Sequence, residues 1–421
     1  MSNRLERYRA LGYELPDLIW RWELDGPGFE RLRLVQVPRP RPAPDEVAFR
    51  VDVNTLCFSD IKVIRQAGEH PRLQGYDVAR NKVVPGHEMS ITITEVGSAV
   101  ADRFRPGQRW TVQPDINKYR RAVGYDIWGG LAQFGVFGPQ VQEYLLPLRS
   151  ETGYSAAALS EPWACVEASY RRVDLVAEDE VVWLVGGAGP MGQMHLIRAL
   201  EKKRAGGAPN LRMIIVTDIS SERLADLARR HADRARDAGV SLHTINTAAE
   251  NLGARLRAIA PQGVSYAIGL CPVPEAIVEA LRYVRPYGVL SVFAGLKRGT
   301  GQVTLGDVHY DSVTITGNSG STLEDMQRCL ALAERGALDT DAAVGAVAGL
   351  RAAHAALLAV AEGRVSNKIA IYPQLTDLPL TPVEALPDVV DFPSPLAAQL
   401  RAGRWSRTAE AVMLEKLLQL G

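Results

Sequence analysis

The stretch VVWLVGGAGPMGQM, residues 181–194, joins an apolar run to three glycines spaced as GxGxxG and then to the start of a helical pattern. β-branched residues before a glycine turn and a helix-type sequence after it describe a strand–turn–helix unit. In such a unit Gly187 permits the tight turn, Gly189 leaves room for a pyrophosphate beside the backbone, and Gly192 lets helix and strand pack closely. Pro190 and Met191 fall in the first helical turn, whose free N–H groups and positive dipole end face the phosphates. The bland reading is a glycine-rich turn with no ligand, and its context argues against it.

Working outward, the next apolar run ends VTDIS, so Asp218 stands where a carboxylate would accept hydrogen bonds from the adenosine ribose. Its separation from Gly189 is 218 − 189 = 29 residues, against the usual ~20. The hydrophilic insertion KKRAGGAPNLR, residues 202–212, accounts for the excess. An acid there repels a 2′-phosphate, which favours NAD over NADP, and Arg223 at the start of the next helical pattern is grouped with the cofactor residues. From Val181 to about residue 317, short apolar strands alternate with helical patterns, the grammar of a doubly wound parallel sheet with helices on both faces.

The flanking sequence reads differently. Residues 31–56 alternate apolar and polar around a proline-rich turn, and further short β-like runs follow to about residue 148, so the first third is mostly antiparallel β. Residues 322–373 give two helical stretches and the strand KIAIYP, assigned back to the first domain. The expected organisation is a catalytic domain in two parts, residues 1–172 and 318–373, with a cofactor domain, 173–317, inserted in it. Residues 374–421 form a C-terminal extension, where Trp405, Ala409, Val412, Met413 and Leu417 recur at helical spacing and predict a docking helix.

Bulk composition narrows the function classes. Across 421 residues, 48 basic side chains balance 48 acidic ones, which argues against nucleic acid or an anionic membrane as partner. The N-terminus lacks a signal-peptide pattern, no apolar run reaches the ~20 residues of a span, and the four cysteines are scattered. A cytoplasmic location with reduced thiols is expected.

Cys57 in NTLCFSDIK, His87 and Glu88 in PGHEMS, and Glu161 in LSEPWAC each follow a strand or turn. One thiolate, one imidazole and two carboxylates suit a catalytic Zn²⁺, which takes three protein ligands and leaves a fourth position open. Taken singly, Cys57 reads as a small buried hydrophobe and Glu161 as a turn residue before Pro162.

These residues, in this order and followed by the glycine loop, resemble the zinc-containing medium-chain dehydrogenase/reductases, the superfamily of alcohol, sorbitol and threonine dehydrogenases. GPGFERLRLVQVPRPRPAPDEVAFRVDVNTLCFSD, VVPGHEMSITITEVGSAVADRFRPGQRW, GGLAQF, SEPWACVEASYRR and VEALRYVRPYGVLSVFAG carry the likeness across roughly residues 26–373. The resemblance implies an α/β protein with a GroES-like catalytic domain and a Rossmann cofactor domain. It makes Cys57 and His87 zinc ligands, Glu161 the carboxylate ligand of polyol dehydrogenases, and Glu88 a conditional ligand. Asp60 becomes the acid that orients His87, and Ser59 the hydroxyl that takes the substrate's proton. The family's relay histidine is replaced by Lys62, and residues 96–148 contain no cysteine, so one zinc is expected rather than two.

The resemblance further implies hydride transfer between NAD(H) and a secondary alcohol or ketone of a polyol, sugar, cyclitol or sugar phosphate, nearest to sorbose 1-phosphate reductase. The alternative is a metal-free nucleotide-binding structural or regulatory member of the same fold. Lys118, Arg120 and Arg121 read either as a grip on a substrate phosphate or as a solvated basic loop. A homodimer or homotetramer joined through the cofactor domains is expected, with YGVLSVFAG as the edge strand involved.

Overall fold

The computed structural model describes residues 3–173 and 180–420. They fall into two compact units, the first comprising 1–161, 322–330 and 339–421, the second 162–321 and 331–338. In chain order the first unit supplies strands β1 (Leu18–Leu24), β2 (Leu32–Pro38), β3 (Val47–Thr55), β4 (Glu88–Val96), β5 (Arg109–Val112), β6 (Asp115–Ile116), β7 (Arg121–Ala122), β8 (Phe134–Phe137) and β9 (Leu145–Pro147). The second supplies β10 (Glu180–Val185), β11 (Leu211–Asp218), β12 (Ser241–Asn246), β13 (Val264–Gly269), β14 (Val284–Val292) and β15 (Thr314–Gly317). The chain then returns to the first unit with β16 (Val344–Gly349), β17 (Lys368–Tyr372) and β18 (Thr381–Pro382).

In the first unit the main sheet runs β18-β16-β17-β3-β4-β5-β9, with β8 also paired to β3. All its pairings are antiparallel except β16 with β17. β3 is buried along its whole length, because alternate residues point to opposite faces and each face is covered. Phe49 and Val51 pack with Met89, Ile91, Ile93 and Val112 in one core, while Ile61, Ile64, Leu357, Ile369 and Ile371 share another. The polar residues of β3 are satisfied in place: Arg50 pairs with Asp52 at 2.8 Å, and Asp52 also accepts from the Tyr8 hydroxyl at 2.9 Å.

The C-terminal helix Arg407–Leu417 packs on the helices Arg4–Arg9 and Tyr154–Ala158 of the same unit. Trp405, Ala409 and Met413 of the apolar stripe are buried there, with Leu414 and Leu418. One carboxylate fixes the dock. Glu410 accepts from the backbone N–H groups of Tyr154 at 2.6 Å and Ser155 at 2.7 Å, and from the Tyr372 hydroxyl at 2.8 Å. The Ser155 hydroxyl donates to Asp341 at 2.9 Å and accepts from the Trp405 indole N–H at 3.0 Å.

In the second unit six strands form a wholly parallel sheet in the order β12-β11-β10-β13-β14-β15. Val181, Trp183 and Val185 of β10 pack with Ile215, Ala267 and Leu290 on one side of it. The mixed α/β class expected from the alternation is the class observed. YGVLSVFAG, however, is not at the edge: β14 lies between β13 and β15, and the sheet's edges are β12 and β15. Strand composition alone does not show this order: VTITG, residues 313–317, adds one more parallel strand beyond β14. Among the described residues, no helix is long and apolar enough to cross a membrane.

Candidate active site

Cys57 is the residue before the helix Phe58–Gln66 and His87 immediately precedes β4. Asp60 joins the two. One of its carboxylate oxygens accepts from the Cys57 backbone N–H at 2.9 Å; the other receives the Nδ1 proton of His87 at 2.9 Å and the Gly86 N–H at 3.3 Å. Gly86 makes this approach possible. Its φ of 99° is left-handed, and a Cβ there would meet Asn54 Oδ1 at 2.7 Å and the Leu131 nitrogen at 2.9 Å. Burial alone would push His87 down, but the charge of Asp60 and the hydrogen bond to it carry the imidazole well above its ordinary range.

Donor atoms of Cys57, His87 and Glu88 all lie within 4.8 Å of one another. A thiol, an imidazole with its other nitrogen already anchored, and a carboxylate form a donor set that fits zinc. Glu88 is fully buried and already occupied: Lys368 Nζ lies 2.5 Å from its Oε1 and the Thr55 hydroxyl donates to its Oε2. Lys368 also donates to the Leu56 carbonyl at 3.3 Å. The sequence reading missed Lys368, for no local pattern links a lysine opening β17 to a glutamate opening β4, 280 positions earlier.

Glu161 is buried, near the start of the helix Ser160–Arg171. It stands outside the mutually close donor set among the described residues. Burial and the Glu88 charge raise its carboxyl to about 7, against the opposing pull of His87 and Lys368. Ser59 Oγ lies 3.6 Å from the Cys57 sulfur. Lys62, one helical turn further on, places its ammonium 6.0 Å from the Phe58 ring. In the basic loop, Lys118 pairs with Glu143 at 2.9 Å and Arg121 with Asp126 at 2.6 Å. Arg120 lies between them in a left-handed backbone conformation.

In the second unit the glycine loop follows β10, and Gly189 caps the helix Pro190–Arg204, which has Pro190 and Met191 in its first turn. A Cβ on Gly192 would stand 1.9 Å from the Gly187 carbonyl oxygen, whereas one on Gly189 would meet nothing within 4 Å. Gly192 is thus needed for packing, and Gly189 leaves open space above the loop. Asp218 ends β11, accepts from the Ala188 N–H at 3.2 Å and is paired with Arg223 at 2.7 Å.

Comparison with known proteins agrees with this arrangement. Residues 43–147 match the family described as "Alcohol dehydrogenase GroES-like domain", and residues 203–335 match "Zinc-binding dehydrogenase". The chain is 29% identical to L-sorbose 1-phosphate reductase of Klebsiella pneumoniae over 92% of this chain and 95% of that protein. It is 28% identical to mannitol-1-phosphate 5-dehydrogenase of Aliivibrio fischeri over 92% and 96%. In fold it is similar to 2R,3R-butanediol dehydrogenase from Bacillus subtilis, with a TM-score of 0.68 and 20% identity over 85% of this chain and 99% of that one. The two matched families, the parallel and antiparallel sheets and the Cys57–His87 pair converge: the chain belongs to the zinc-type medium-chain dehydrogenase/reductases, which are oxidoreductases.

Proposed function

We propose that the protein is a zinc-dependent oxidoreductase that moves hydride between NAD(H) and a secondary alcohol or ketone of a polyol, sugar or sugar phosphate. The observation that carries the reading is the Cys57–His87 pair locked by Asp60, in a chain that also holds a GxGxxG loop. The names of the two full-length relatives, a sugar-phosphate reductase and a hexitol-phosphate dehydrogenase, support the substrate class.

In this reading Cys57 and His87 hold the metal. The third ligand is Glu88, whose donor atom lies with theirs, or Glu161 if the engagement of both Glu88 oxygens by Lys368 and Thr55 keeps Glu88 from the metal. Bound there, zinc supplies Lewis acidity that makes a hydroxyl easier to deprotonate, and the nicotinamide supplies the hydride acceptor. Ser59 receives the proton at Oγ, and Lys62 on the same helix stands at the outer end of that path. Asp60 keeps the His87 Nδ1 protonated and so presents Nε2. The N–H groups at the start of the helix Pro190–Arg204 bind the pyrophosphate. Asp218 accepts from the ribose and favours NAD, while Arg223 beside it is the feature that would accommodate a 2′-phosphate. The exposed edge strand β15, with Tyr287, Leu305 and Tyr310 each at least 80% exposed nearby, is the surface we assign to joining protomers.

Zinc analysis of the purified protein together with turnover of polyols, ketoses and their phosphates with NAD(H) and NADP(H) tests the proposal. The expected result is close to one zinc per chain and turnover of at least one member of the panel. Near-zero metal content with no turnover would favour a nucleotide-binding member without catalysis.

A further inference from the structure

The basic loop that reads either as a phosphate grip or as a solvated loop has two of its cations committed to carboxylates, Lys118 to Glu143 and Arg121 to Asp126. A different group of donors lies beside the Cys57–His87 pair. Tyr125 is its shared wall: the His87 ring centroid is 6.2 Å from that of Tyr125, the His70 centroid 5.2 Å, and the Arg72 guanidinium carbon 5.1 Å. We propose that Arg72, His70 and Tyr125, in the field of Lys62, form the subsite for the phosphoryl group of a phosphorylated substrate. The proposal rests on the oxidoreductase reading above.

The donor inventory carries it. Arg72 presents five N–H groups; its terminal nitrogens each donate one to Asp115, one contact at 3.0 Å, which fixes the plane of the guanidinium and leaves three N–H groups without a protein acceptor among the described residues. His70 Nδ1 accepts from the Arg72 backbone N–H at 3.2 Å, so in the neutral ring the remaining proton is on Nε2, directed away from that contact. Tyr125 is only 5% exposed, and its ring is the wall that the other two groups share. Two kinds of open donor, the Arg72 guanidinium and His70 Nε2, therefore meet against one ring.

The sign of the local field points the same way. Burial first, and then the positive charges of Arg72 and Lys62, push the His70 imidazole down to about 4. Only the charge part of this shift bears on a ligand: Arg72 and Lys62 repel a cation at His70, and the same two charges attract an anion placed beside it. A planar guanidinium already held by a carboxylate is pre-organised to donate to the oxygens of a phosphate from its free edge, and such charge-assisted bonds are about twice as strong as neutral ones. Asp115 is the counter-charge on the other edge, and it keeps Arg72 from collapsing onto the protein when the site is empty of substrate.

The test is the ratio of kcat/KM for mannitol 1-phosphate to that for mannitol, in the zinc-loaded full-length protein. Arg72→Gln is expected to lower this ratio about tenfold or more, with Arg72→Lys intermediate. If Arg72→Gln fails to fold, the pair Arg72→Gln with Asp115→Asn removes both members together and is read in the same way. An unchanged ratio, or a loss that appears instead in Arg120→Ala with Arg121→Ala, overturns the assignment. So does preference for a hexonate over the hexitol phosphate. If the wild type turns over no member of the panel, the oxidoreductase reading falls by itself, and the subsite is then judged by inorganic phosphate alone. Broadening of the ³¹P signal by wild type and its loss in Arg72→Gln sustain the subsite; no broadening by wild type overturns it.

Discussion

The carboxylate of Asp60 receives the Nδ1 proton of His87 at 2.9 Å, and its other oxygen holds the backbone N–H of Cys57 at the same distance. One side chain thus sets the direction of an imidazole from β4's leading end and of a thiol from a helix cap. Asp60→Asn keeps the size of the group but removes the charge that orients the ring. Zinc affinity should fall by about 10–100-fold, read by competition with a chromophoric chelator. Affinity within twofold of wild type would show that His87 needs no such anchor.

Lys368 and Glu88 form a buried ion pair, and removing one partner of such a pair strands the other. Lys368→Met in the metal-stripped protein should cost about 3–5 kcal/mol, measured by urea unfolding. Adding Glu88→Gln should recover part of that loss, because the uncompensated charge is gone. A double variant no more stable than the single one would contradict the pairing as the cause.

The glycine loop separates a folding role from a binding role. Gly192→Ala would press a methyl against the Gly187 carbonyl and should lower the melting temperature. Gly189→Ala meets nothing within 4 Å and should melt like wild type, yet bind NADH at least about tenfold more weakly, since the methyl fills the space of the pyrophosphate. Fluorescence titration with NADH alongside thermal melts distinguishes the two. Equal effects in both variants would sink the division.

Asp341 makes stability depend on pH. Burial, then the charge of the neighbouring Glu410, raises its carboxyl to about 7 from an ordinary 3.8. The folded state therefore holds this proton more tightly than the unfolded chain does. Its contribution is complete below about pH 4 and is lost as pH rises through about 7. Between pH 5 and 8 the wild type should lose melting temperature relative to Asp341→Asn. Parallel melting curves for the two proteins across that range would refute the assignment.

Legibility in the sequence followed the range over which each signal acts. The parallel sheet was readable because strand, glycine turn and helix are contiguous in residues 181–194, and hydrophobic period changes within that window. Cys57 lies 30 positions before the adjacent His87 and Glu88, so residue chemistry could only suggest the group and the resemblance of PGHEMS and NTLCFSDIK to one family strengthened it; their donor atoms do lie together. Lys368 and Glu410 carried no local sign at all. A lysine opening KIAIYP and a glutamate within an amphipathic helix look like solvent-facing charges until the fold buries them. The misplacement of YGVLSVFAG at the sheet edge has the same origin, because strand order is a property of long-range pairing and not of any one strand's composition.

The discontinuity of the first unit has a consequence for the nascent chain. β3 is completed on one side by β17, and Glu88 receives its cation from the first residue of that strand. From Glu161 to Lys368 the ribosome must add 368 − 161 = 207 residues, which at ~5–20 residues per second takes roughly 10–40 s. Throughout that interval β3 lacks one neighbour and the carboxylate of Glu88 lacks its ammonium. The half-made sheet is then a natural client for a chaperone, and slowing translation between codons 162 and 367 should lengthen the time it is exposed to one.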